Sequence, residues 1–292
     1  VSARAALAAL AALGVTLGCR DSVERSQPAE VGIESGLVAA ALARADVRWE
    51  RDSTAHFRLF AVAGTPAAAR LDRLGAAAER ARTAALALLG EAEYPRPVTL
   101  LFLPTREAMR GFVGWPAGGW GIAAEDAAFF VATDSLHPAL RHELMHVFSW
   151  NAWGPPFGGE SRGQWISEGL AVLAPGGCQG IGLHAIAGAL GHEGRLVSWA
   201  SMDTAFDART FASNVQAGSV VGFVRERHGV RGVRTLWRRG LAGLAELAGT
   251  TPDSLERAWR ALVSDAPPIP TGESAAELAD RVRREGCEPL AD

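Results

Sequence analysis

His142, Glu143 and His146 are the residues around which chemistry can be built. They stand in the run His142-Glu143-Leu144-Met145-His146, an HExxH pattern that follows His137-Pro138, and proline fits the first turn of a helix. On a helix turning about 100° per residue, the two histidines lie about 40° apart and one turn from each other, so both imidazoles can converge on one metal ion. Glu143 falls about 60° from His146, beside the ligands but not aimed with them. From there it can take a proton from a metal-bound water. Leu140, Leu144 and Val147 give the same helix an apolar side to pack into a core.

Two imidazoles do not complete a hydrolytic zinc site, which needs a third protein ligand and an open position. The HExxHxxGxxH extension is excluded, because Ser149 stands where the glycine belongs and Ala152 where the third histidine belongs. Glu160 lies in a Gly/Pro-rich loop, and His184 and His192 sit farther along among glycines. Glu168 ranks first. It falls in Trp165-Ile166-Ser167-Glu168-Gly169-Leu170-Ala171, which reads as a second helix anchored by Trp165, and a rigid helix holding a carboxylate opposite the first is what a tetrahedral site requires.

The elements that must position these residues follow from periodicity and breakers. Residues 56–62 alternate as a strand; Thr65-Pro66 then caps a long Ala-rich amphipathic helix to residue 89, with Gly90 near its end. Residues 97–103 form a strongly apolar strand, 106–112 a helix, 111–121 a glycine- and tryptophan-rich loop, and 127–133 another strand. Helices are expected over 138–151, 163–173, 180–191, 212–228, 230–247 and 252–263, then a Pro-rich linker (264–272) and a short charged helix. The class is α+β: a small sheet with helices in the N-terminal half, a mainly α-helical C-terminal half, and the HExxH helix at their junction.

Composition bounds the rest. Of 292 residues, 48% are apolar and 21% charged, which excludes a disordered or collagenous chain. The 29 basic residues, all arginine, against 32 acidic ones give a net charge of −3, so no global field favours nucleic acid or an anionic membrane. Three cysteines are too few for a disulfide scaffold, and no CxxC pair occurs. Residues 1–18 carry a short Ala/Leu run too brief for a stop-transfer helix but suited to a secretory signal. Thr16-Leu17-Gly18-Cys19 resembles a bacterial lipobox, with Cys19 as the lipidated residue and Thr16 where Leu or Val is usual. A secreted or cell-envelope chain is expected, anchored at most through Cys19, with a polar tether and first helix over 19–45. After cleavage and lipidation Cys178 and Cys287 are the other thiols; an oxidising compartment permits their pairing, and the sequence leaves it open.

HELMH followed by WISEGLA resembles the gluzincin branch of zinc metallopeptidases, specifically the bacterial peptidase MA-like group with HExxH…WxxEGLA. Residues 215–236 are similar to that group's AGSF-containing helix and the short helix after it, and 255–259 (LERAW) to its closing helix, so the likeness spans residues 55–263. The resemblance implies a zincin-like fold with a small twisted mixed sheet whose edge strand, placed at 127–133, borders the cleft. It implies a metallopeptidase domain over 46–263, followed by a linker and tail (264–292). It further implies one Zn²⁺ per chain held by His142, His146 and Glu168, and hydrolysis of a peptide or protein substrate by a metal-activated water, with Glu143 as general base and later proton donor. No GxMEN-type motif for gripping a substrate N-terminus occurs.

The chain departs from that pattern at one place. Many gluzincins hold the oxyanion with a tyrosine near the AGSF helix, whereas residues 211–216 here read FASNVQ and the only tyrosine is Tyr94. Asn214, His184, His228 or an arginine are the candidates for that donor, and losing one such donor typically costs about 10²–10³ in rate. The alternative is a catalytically weak or inactive gluzincin-fold envelope protein that binds metal or peptide without turnover. Trp115, Trp120, Trp150, Trp153 and Trp165 surround the motif in sequence and are expected in core and cleft walls.

Overall fold

A computed structural model describes residues 36–288, the side chains of 160 and 161 excepted. The signal segment, Cys19, and the tether up to residue 35 therefore lie outside the described residues. In chain order the elements are α1 (Leu37–Leu42), β1 (Trp49–Ser53), β2 (Phe57–Val62), α2 (Leu71–Leu89), β3 (Val98–Leu103), α3 (Arg106–Val113), β4 (Gly119–Ile122) and β5 (Ala127–Val131). The helical half follows: α4 (Leu140–Trp153), α5 (Gly159–Leu173), α6 (Leu183–His192), α7 (Trp199–Ala205), α8 (Phe211–Ala248), α9 (Pro252–Ser264) and α10 (Ala275–Glu285). The described chain is thus a mixed α+β molecule, mostly helical, with one five-stranded sheet.

The sheet order is β1-β2-β3-β5-β4. β2, β3 and β5 run parallel, and the two outer strands pair antiparallel to their neighbours. Every residue of β3 and β5 is buried, as expected of parallel strands covered on both faces. One face joins the main core with α2 and α4 through Phe57, Leu59, Leu100, Phe102, Ala128 and Phe130. The other packs under α1 and α3 through Leu101, Leu103, Met109, Val113 and Phe129.

The edge strand expected at 127–133 is elsewhere. β5 is an interior strand, and the edge beside α4 is β4, which begins inside the stretch expected to be loop and ends one residue beyond it. Glycine weakens the strand signal in Gly119-Trp120-Gly121-Ile122, so only tertiary pairing with β5 reveals it. β1 and α7 are likewise elements that periodicity leaves unmarked.

In the helical half, close packing sets the geometry. A Cβ at Gly169 of α5 would stand 2.6 Å from the Ala217 carbonyl oxygen of α8, so these helices meet backbone to side-chain-free backbone. α8 is interrupted at Gly229 and Gly240, both at positive φ. The first break matches the division expected between 228 and 230; the second adds a bend. Trp165, Trp199, Trp237 and Trp259 are fully buried, whereas Trp115 is exposed. None of the described helices is long and apolar enough to cross a membrane.

The stretch after α9 is built into the fold. A disulfide joins Cys178 to Cys287, and α10, started by a Ser274/Glu277 capping box, leads directly to it.

Candidate metal centre

α4 carries His142, Glu143 and His146, and α5 carries Glu168. The two helices are consecutive and joined through Pro155-Pro156, which stops α4 and turns the chain back. Ligand-type atoms of three residues converge. His142 Nε2 and His146 Nε2 are 3.2 Å apart, His142 Nε2 is 3.4 Å from one Glu168 oxygen, and His146 Nε2 is 3.7 Å from the other. Ligand atoms about 2.0–2.2 Å from one ion at tetrahedral angles stand about 3.3–3.6 Å from each other. The closest donor approaches among the three residues are therefore near those around a single tetrahedral ion, and among the described residues this is the cluster with that capacity.

The His146 ring is held from behind. His146 Nδ1 lies 3.1 Å from Ser167 Oγ, which also receives the Trp150 indole N–H at 3.4 Å. In the tautomer that donates Nδ1–H to Ser167, the Nε2 lone pair is free for a metal. Ser167 precedes Glu168 on α5, so one short stretch supplies both a carboxylate and the support of a histidine. Nothing in the HExxH or WxxEG spacing marks it.

Glu143 is buried, at 7% exposure, and its Oε2 accepts the Gly121 N–H at 2.9 Å. β4 crosses α4 here because it has no side chains on this face. A Cβ at Gly119 would fall 2.5 Å from Glu143 Oε1, and one at Gly121 would fall 2.6 Å from the Glu143 carbonyl oxygen. Val131 N–H on the Gly118 carbonyl sets the register, which turns the Gly119 and Gly121 backbone groups to the free edge of the sheet.

The electrostatics are those of a site short of positive charge. Burial raises the Glu143 carboxyl to about 7, opposed by the His142 charge and aided by Glu168. Burial alone would lower His142, but the hydrogen bond to Glu168 and the charges of Glu143 and Glu168 carry it up to about 9. Burial lowers His146 to about 4 against the pull of Glu168. Burial works to raise Glu168 as well, yet the two histidines hold it below the ordinary carboxylate value. Glu143, Glu168 and Glu288 thus crowd three largely buried carboxylates around two imidazoles, an arrangement that a dication would neutralise.

The remaining candidates are placed elsewhere or engaged. His184 contacts Ser219 Oγ through Nδ1 at 2.8 Å and Glu226 through Nε2 at 3.2 Å. Asn214 donates to the Ala208 carbonyl at 2.9 Å. His228 Nε2 is buried without a hydrogen-bond partner among the described residues. Among those residues no hydrogen bond joins Asn214, His184 or His228 to the His142/Glu143/His146/Glu168 group. His192 is exposed at the end of α6, and the Glu160 side chain is outside the described set. The Tyr94 hydroxyl donates to Asp126 and receives a hydrogen bond from Arg96. Sequence reasoning missed Ser167, Gly119, Gly121 and Glu288, whose Oε2 and Oε1 accept the Arg141 and His142 backbone N–H groups at 3.1 Å each.

No family model matches the chain, and no curated protein matches it in sequence. Among solved structures it is similar to the crystal structure of a two-domain M1 zinc metallopeptidase mutant bound to L-arginine, at 15% identity and a TM-score of 0.46. That likeness covers 78% of this chain and 54% of the other, so the chain spans about half the length of that protein. Function is carried by the site itself and not by such a likeness.

Proposed function

We propose that the chain is a zinc-dependent peptide-bond hydrolase with a zincin-like fold of the gluzincin type. The observation that carries this reading is the convergence of His142 Nε2, His146 Nε2 and the Glu168 carboxylate, whose two oxygens approach one imidazole each at 3.4 and 3.7 Å while the imidazole nitrogens stand 3.2 Å apart, beside the buried carboxylate of Glu143. Two imidazoles and one carboxylate are a zinc donor set that leaves a coordination position open. When bound, zinc lowers the pKa of a water towards about 7 and polarises a scissile carbonyl.

The chain's own groups supply the rest. Glu143 takes the proton of the attacking water and passes it to the leaving amine. Its Oε2 is fixed by the Gly121 N–H, leaving Oε1 to carry the proton. The free edge of β4 at Gly119 would hold an extended peptide by backbone pairing. We place the chain outside the cytoplasm, secreted or held to the envelope through Cys19. The Cys178–Cys287 bridge supports an oxidising compartment, and membrane fractionation of wild type against Cys19→Ser tests the anchor.

A second reading, binding of metal or peptide without turnover, is favoured by the engagement of Asn214 and His184 away from the site. Digestion of a peptide library with and without zinc separates the two. Zinc-dependent cleavage that disappears in Glu143→Gln supports hydrolysis. Bound zinc or bound peptide without cleavage selects the second reading, and absence of zinc binding rejects the hydrolase.

A further inference from the structure

α4 has a ligand in its first turn but no local cap. The first N–H groups of any helix lack intrahelical partners, and Ala139 at the N-cap has no side chain to offer them. A frayed first turn would carry His142 and Glu143 out of register with His146. The partners come instead from 146 residues downstream: Glu288 Oε2 accepts the Arg141 N–H and Oε1 accepts the His142 N–H, each at 3.1 Å. A carboxylate at this end of a helix is favoured by the macrodipole and by charge-assisted hydrogen bonding. Glu288 is 8% exposed, so both oxygens are committed to the helix rather than to water.

The chain spends several contacts on delivering this one carboxylate. Cys287 is bonded to Cys178. The Gln179 N–H donates to the Cys287 carbonyl at 3.0 Å, and the Gln179 side chain donates to the Gly286 carbonyl. On the other side the His137 N–H donates to the Glu285 carbonyl at 3.4 Å. Gly286 turns the chain at φ 85, and a Cβ there would stand 3.0 Å from the His137 carbonyl oxygen. Residues 285–288 are thus pinned between the entry to α4 and the loop after α5.

We propose that Glu288 is a positioning residue of the metal centre: by closing the first turn of α4 it fixes His142 toward His146 and Glu168, and the Cys178–Cys287 bridge keeps it there. This rests on the metal-binding reading. Glu288 touches no ligand atom of the site; it acts through the His142 backbone.

The test uses the full chain titrated with Zn²⁺ against a chromophoric chelator, and with Co²⁺ followed by visible absorption. Four variants are compared with wild type: Glu288→Ala, Glu288→Gln, Cys178→Ser/Cys287→Ser, and Thr251→Ala. The last removes the N-cap of the remote helix α9, whose hydroxyl accepts the Ser254 N–H. Glu288→Ala is expected to weaken zinc about 10–100-fold, the usual effect of removing an outer-shell partner, and to change the cobalt spectrum. Glu288→Gln, which keeps one acceptor oxygen, should fall between Ala and wild type, and the double Ser variant should weaken zinc in the same direction. Thr251→Ala should lower thermal stability while leaving zinc affinity and the cobalt spectrum unchanged.

Wild-type zinc affinity and cobalt spectrum in Glu288→Ala, whatever its melting temperature, would overturn the proposal. If that variant does not fold, wild-type behaviour of both Glu288→Gln and the double Ser variant overturns it equally. A wild-type chain that binds neither metal fails at the first titration, which identifies the underlying metal reading as the error.

Discussion

Glu143 and His146 show how much of the site is decided by atoms that never meet a metal. Glu143 is raised to about 7 by burial while the Gly121 N–H fixes one of its oxygens, which matches a base that works near neutral pH. Glu143→Gln retains an acceptor for Gly121 and leaves the three ligands intact. Zinc content should stay at one per chain while peptide turnover falls by about 10²–10⁴ or more, as read by metal analysis and a turnover assay on the same sample. Ser167→Ala acts on the other side of the site. His146 Nδ1 and the Trp150 indole N–H both lose their partner, and zinc affinity measured by chelator competition should weaken about 10–100-fold.

Among the elements, α4 and α5 were legible and β4 was not. The i, i+4 spacing of His142 and His146 and the carboxylate of Glu168 survive into three dimensions because helical periodicity maps sequence directly onto a face. β4 fails that mapping, since its site-facing positions are Gly119 and Gly121, which carry no pattern and lower strand propensity. Those glycines make separable predictions. A Cβ at Gly121 would be 2.6 Å from the Glu143 carbonyl oxygen and 3.1 Å from His146 Cβ, so β4 or α4 must shift, and Gly121→Ala should destabilise the fold by about 1–3 kcal/mol. A Cβ at Gly119 meets the Glu143 side chain, 2.5 Å from Oε1, 2.7 Å from Cγ and 2.9 Å from Cδ, and no backbone atom within that range. Gly119→Ala should therefore keep zinc binding and most of its thermal stability while losing turnover. Thermal melts and zinc titration of the two variants distinguish these outcomes. α7 and the break at Gly240 escaped for different reasons: α7 spans only seven residues, too few for a helical period to stand out, and the break at Gly240 falls where the Phe157 ring packs against it.

For the whole molecule, the parts of the site that the sequence hides are those assembled from a distance. Glu288 caps a helix 146 residues upstream, and no local spacing encodes such a pairing; Cys178 and Cys287 were visible as two thiols, but their adjacency belongs to the fold. A centre held by α4, α5 and the segment after α10 should tie metal occupancy to global stability. Zinc at about 100 times its Kd adds about 2.7 kcal/mol to a native state that alone binds it, and at about 2–4 °C per kcal/mol for a chain of this size chelation should lower the melting temperature by about 5–11 °C. Scanning calorimetry before and after EDTA reads this directly. The central claim is the convergence of two imidazoles and one carboxylate on a single ion, and an anomalous-diffraction map of the zinc-loaded chain tests it most directly. The expected map has one zinc peak about 2.0–2.2 Å from His142 Nε2, His146 Nε2 and a Glu168 oxygen. A peak bound by other residues, or Glu168 turned away from both rings with zinc present, would contradict it.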